Sequence, residues 1–79
     1  MASISTLDDL SFWLCDRDGY HVCDHFTDGI GLTMEVGGGN WGSVPKDVLE
    51  EGERKGYLIG RNGNFYPTAE FKKYYWSRY

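Results

Sequence analysis

The sequence lacks any apolar run near the roughly 20 residues that a bilayer-spanning helix needs. Its first residues carry neither the basic region nor the apolar stretch of a secretory signal. Both absences predict a soluble protein of the cytoplasm. Cysteine is scarce, with Cys15 and Cys23 as the only two. That is too few for the disulfide frameworks of small secreted domains, and their spacing matches no paired Cys-x-x-Cys metal pattern. Basic residues are outnumbered, since eight against twelve acids leave a net charge of −4. This weakens any general attraction to nucleic acid or to an anionic membrane. Length is short as well: 79 residues make one small domain, residues 1–79, hiding only about 60% of the surface of the unfolded chain. Little room is left for a deep substrate cavity with its own supporting shell.

Aromatic side chains, by contrast, are plentiful. Six Tyr, four Phe and three Trp within an apolar content of 41% suffice for a folded core. Charge is unevenly spread. Residues 1–43 carry Asp8, Asp9, Asp16, Asp18, Asp24, Asp28 and Glu35 against Arg17 alone, a balance of −6, whereas residues 44–79 stand at +2. The last 26 residues are steeper, with Arg54, Lys55, Arg61, Lys72, Lys73 and Arg78 against Glu70. Folding either presents this asymmetry to a partner or brings the halves together and cancels it.

Thr6 and Asp9 have the form of a capping box, and Leu7, Leu10, Trp13 and Leu14 recur at helical spacing, which predicts a helix over 7–15. A hairpin of Phe12 to Cys15 with Tyr20 to Cys23 competes with it. Tyr20, Val22 and Phe26, then Ile30, Leu32, Met34 and Val36, form two strands around Thr27-Asp28-Gly29. Gly37-Gly38-Gly39-Asn40 breaks the period and predicts a flexible loop over about 37–42. Ser43 as N-cap and Pro45 in the first turn start a second helix, with Val44, Val48 and Leu49 as its apolar stripe and Gly56 as its stop. Gly52 in its middle weakens it. Tyr57-Leu58-Ile59 and Phe65-Tyr66 flank Asn62-Gly63, the strongest short-range hairpin signal, because both turn positions need positive φ. Thr68 then caps a terminal helix over 69–78, with Phe71, Tyr74, Tyr75 and Tyr79 three or four apart. The expected class is α+β, with two β-hairpins and two to three short helices.

His21, Cys23 and His25 occupy alternate positions and so share one face of a strand. Structural zinc needs four ligands and this set lacks a placed fourth, so neither metal nor cofactor is expected. Thiol catalysis would need a base in contact and an oxyanion donor. The sequence locates neither, and no catalytic residue is assigned. Gly37-Gly38-Gly39 lacks both the Lys-Ser/Thr ending and the strand-turn-helix setting of phosphate-binding loops.

From Ser43 to Tyr79 the chain resembles the latter half of a winged-helix domain. The resemblance lies in a helix ending in Glu53-Arg54-Lys55-Gly56-Tyr57-Leu58, a wing turning at Asn62-Gly63, and Phe65-Tyr66-Pro67-Thr68 leading into a last helix. It implies a nucleic-acid or transcription accessory role, with Lys46 as a groove contact and Arg61 reaching phosphate from the wing tip. The same middle helix carries Asp47, Glu50, Glu51 and Glu53, which would face a polyanion, so protein binding is the preferred reading. In size and charge the chain is also similar to small phage-encoded proteins that bind host factors, anti-CRISPR proteins among them. That similarity implies a non-catalytic inhibitor of a host protein complex, working in the host cytoplasm as a monomer or homodimer. The residues expected to contact a partner with a basic surface are Asp8, Asp9, Asp16, Asp18, Trp41, Arg61, Lys72, Lys73, Trp76 and Arg78.

Overall fold

A computed structural model describes residues 3–78. The elements follow as α1 (Leu7–Cys15), β1 (Tyr20–Phe26), β2 (Gly29–Met34), β3 (Gly42–Ser43), α2 (Lys46–Arg54), β4 (Leu58–Arg61), β5 (Asn64–Pro67) and α3 (Ala69–Trp76). The class is α+β, and the strands join in a single antiparallel sheet in the order β3-β2-β1-β5-β4.

The capping box settles the competition at the N-terminal end in favour of a helix. Thr6 Oγ1 accepts the Asp9 amide at 3.2 Å, while Asp9 Oδ2 accepts the Thr6 amide at 3.2 Å and the Ser5 amide at 2.9 Å. The bond from Ser5, helped by those from Thr6 and opposed by slight burial, holds the Asp9 carboxyl below its ordinary range. The wing-like hairpin also forms as its turn residues require, with Asn62 at φ 53° and Gly63 at φ 79°. Gly56, at φ 76°, ends α2. Thr68 caps α3 through the Phe71 amide and donates its hydroxyl to the Gly56 carbonyl at 2.7 Å, which ties the two helices together.

Three expectations need correction. Ser43 is not an N-cap: it pairs with Gly31 as part of β3, and the next amide, Val44, donates to Ile30 O at 2.9 Å. With those backbone groups committed to β2, α2 can begin only after the extended Pro45, and no side chain caps it. Val36 lies beyond β2, which ends at Met34 as the Glu35 amide turns to Gly19 O at 2.9 Å. The terminal helix stops at Trp76 with Ser77 as C-cap; Tyr79, placed on its aromatic stripe, lies outside the described residues.

Strand alternation divides the sheet into two faces. Val22 and Leu32, paired across β1 and β2, share one buried cluster with Leu10 and Leu14 of α1, Val48 and Leu49 of α2, Leu58 of β4, and Phe71 and Tyr75 of α3. All three helices therefore lie on that face. The opposite face carries His21, Cys23, Thr33, Ile59 and Tyr66.

Candidate functional site

The solvent side of α1 is built by its helical phase. Burying Leu7, Leu10, Ser11, Leu14 and Cys15 leaves Asp8, Phe12 and Asp16, four residues apart, on the outer stripe, flanked by Asp9 and Trp13. Phe12 is 39% exposed. Its ring meets Trp13 edge-on at 5.8 Å, and Trp13 meets Tyr20 of β1 at 5.4 Å. The Arg17 guanidinium lies over both outer rings, 4.9 Å from the centre of Phe12 and 4.5 Å from that of Trp13. Contacts of this kind contribute about 0.5–1 kcal/mol at exposed sites.

One end of this stripe meets α3. Arg78 Nη1 sits 2.8 Å from Asp8 Oδ1, and the Tyr74 hydroxyl donates to the same oxygen at 2.6 Å. The bond to Asp8 raises the Tyr74 pKa above its ordinary value. Ser3, Asp8, Asp9, Phe12, Trp13 and Arg78 line a shallow groove of about 390 Å³. At the other end Asp16 and Asp18 are exposed and, among the described residues, form no ion pair. Carboxylates at a helix C-terminus oppose the helix dipole. Their placement therefore works slightly against α1 and leaves both charges unpaired among the described residues.

Of the expected contact residues, the structure thus gathers Asp8, Asp9 and Arg78 in one groove, whereas Asp16 and Asp18 lie outside it, at and beyond the C-terminal end of α1. The charge asymmetry is partly cancelled within the molecule, through Asp8 and Arg78. Lys72, Lys73 and Trp76 are exposed on α3, Trp76 at 52%. Trp41 stands in the β2–β3 connection, its indole donating to Gly38 O at 3.1 Å. Arg61 reaches over Tyr66, 5.9 Å from the ring centre. Neither Trp41 nor Arg61 lines the α1 groove. Sequence reasoning missed Phe12 and Arg17, although a signal existed: Phe12 falls off the apolar stripe of its own helix, between Asp8 and Asp16.

The thiols and histidines behave differently from one another. Burial pushes the Cys15 thiol up to about 11, with Lys72 pulling the other way, so it is a poor nucleophile at neutral pH. Cys23 Sγ lies 3.3 Å from His25 Nδ1, and the same nitrogen is 3.6 Å from Asp24 Oδ1. The sulfur is also 3.5 Å from Nε2, so the ring lies side-on to the thiol, and at 3.6 Å the Asp24 carboxylate is beyond the hydrogen-bond distance at which it would orient the imidazole for a proton relay. Among the described residues, no three His, Cys, Asp or Glu side chains converge as a metal site.

His21 is 8% exposed, stacked 4.9 Å from Tyr66, and its Nδ1 has no hydrogen-bond partner among the described residues. Burial lowers its pKa below 6.5, and Glu35 offsets this in part. The unfolded chain then binds a proton that the folded chain resists. Stability is expected to be full above about pH 7 and to fall as the pH drops through about 6.5 towards the lowered value. Urea denaturation at a series of pH values checks this, and His21→Phe should flatten the curve across that window.

No helix among the described residues is long and apolar enough to cross a membrane. Neither a family model, nor a curated protein, nor a solved structure matches the chain.

Proposed function

We propose that this protein is a non-catalytic protein-binding module of the cytoplasm that engages a basic surface of its partner through the outer face of α1, and that capture inhibits the partner. One observation carries the binding role: an aromatic pair, the exposed Phe12 and the half-buried Trp13, lies between two pairs of carboxylates, Asp8 with Asp9 and Asp16 with Asp18. Protein interfaces concentrate their energy in such central aromatic anchors and surround them with a polar rim. The inhibitor role rests on similarity in size and charge to small phage-encoded antagonists of the anti-CRISPR kind. The winged-helix reading as a nucleic-acid accessory protein is favoured by the exposed Lys72, Lys73 and Trp76 on α3. The acids of α2 speak against it.

Capture from a lysate of the native host, with and without nuclease, separates the two readings. Wild-type bait should retain a protein after nuclease treatment, and bait carrying Phe12→Ala with Asp16→Lys and Asp18→Lys should lose it. With the purified partner, charge reversal should slow association by about tenfold at low salt, whereas Phe12→Ala should act on dissociation. Equal retention by both baits would remove α1 from the mechanism, and release of everything by nuclease would transfer the role to α3.

A further inference from the structure

We propose that the outer face of α1 around Phe12, Trp13 and Asp8 is a slot for an arginine side chain presented by another protein, and that Arg17 on the two rings and Arg78 on Asp8 hold its contacts until that arginine displaces them. The inference deepens the reading of α1 as the interaction face and names the chemistry that this face selects.

Two kinds of group meet in the groove. Phe12 and Trp13, at 86° to one another, present ring faces in two directions, and Asp8 and Asp9 supply carboxylates beside them. Asp9 commits Oδ2 to the helix cap, while its Oδ1 has no hydrogen-bond partner among the described residues. A guanidinium suits this combination: it is planar, weakly hydrated, stacks on aromatic faces and forks onto carboxylates. An ammonium ion answers the charge without the stacking.

The chain itself shows the fit. One of its guanidiniums lies on both rings, and another lies on Asp8. Both belong to exposed residues, and the Arg78 side chain retains 40% of its accessibility. Exposed contacts of this strength are easily exchanged. An incoming arginine meets a site already shaped for it, and the displaced groups return to water. The free charges of Asp16 and Asp18 add attraction for a basic segment beside the slot.

The test uses the full chain with Trp41→Phe and Trp76→Phe, which leaves Trp13 as the single indole. It is titrated with an arginine-rich peptide and with a lysine peptide of equal length and charge, following Trp13 fluorescence. The arginine peptide should bind about twofold to fivefold more tightly, the scale of an exposed cation–π contact. Arg17→Ala, by removing an internal competitor, should tighten it further. Phe12→Ala should erase the preference while circular dichroism stays unchanged. Equal binding of the two peptides, or arginine binding weakened or unaltered by Arg17→Ala, would overturn the slot. Failure of the interaction-face reading looks different: capture from lysate would then ignore α1 substitutions although the arginine preference persisted.

Discussion

Phe71→Ala is expected to leave the protein largely unfolded at physiological temperature. Phe71 has no exposed surface, and its ring stacks on Tyr57 at 5.1 Å with the planes 7° apart. Tyr74, which holds Asp8, lies beside the same pair. Truncating a buried Phe costs about 3–5 kcal/mol, because the lost transfer energy is joined by that of the cavity left behind. A domain of this length has only about 4–12 kcal/mol in total, at roughly 0.05–0.15 kcal/mol per residue. Urea denaturation should show the midpoint moved most of the way to zero. Phe71→Leu, which keeps much of the volume, should lose far less. A midpoint equal to wild type for Phe71→Ala would mean that α3 is not docked on the core.

Gly52→Val is expected to destabilise the protein, contrary to what helix propensity suggests. Replacing a mid-helix glycine ordinarily stabilises by up to about 1 kcal/mol. Here a Cβ on Gly52 would stand 2.6 Å from Leu58 Cδ1 and 3.0 Å from its Cγ. Leu58 is itself buried in the core. The branched valine adds bulk where there is no space, and overpacking of this kind costs about 1–3 kcal/mol. Gly52→Ala should fall between, since the propensity gain and the contact oppose one another. Thermal or urea denaturation gives the values. Adding Leu58→Ala to Gly52→Val should recover part of the loss, because the two side chains compete for one space; strict additivity would locate the cost elsewhere.

Elements governed by neighbouring residues were legible in the sequence. The Thr6 and Thr68 caps, the Asn62-Gly63 turn and the Gly56 stop all act over four residues or fewer, and all form as expected. β3 was not legible, because its two residues, Gly42 and Ser43, carry no strand pattern and are held by hydrogen bonds to β2. Gly52 illustrates the same limit: its cost is visible in the sequence, whereas its cause is Leu58, which lies in a different element. On the outer surface of α1, helical phase alone set Asp8 and Asp16 on one stripe. The pairing of Asp8 with Arg78 depended on the packing of α1 on α3, which no local pattern encodes.

The sheet order carries a kinetic consequence. β1–β2 and β4–β5 are local hairpins, and such units close in about 1–10 μs. The two are joined only where Val22 meets Phe65 and Cys23 meets Asn64, a seam that spans 43 positions of sequence between Val22 and Phe65. Loop-closure entropy must be met across that span before either pair returns any energy. The seam is therefore expected to form after the hairpins, and the contact of α1 with α3 must close a still longer span of sequence. During synthesis α1 therefore emerges well before α3, the helix that supports it.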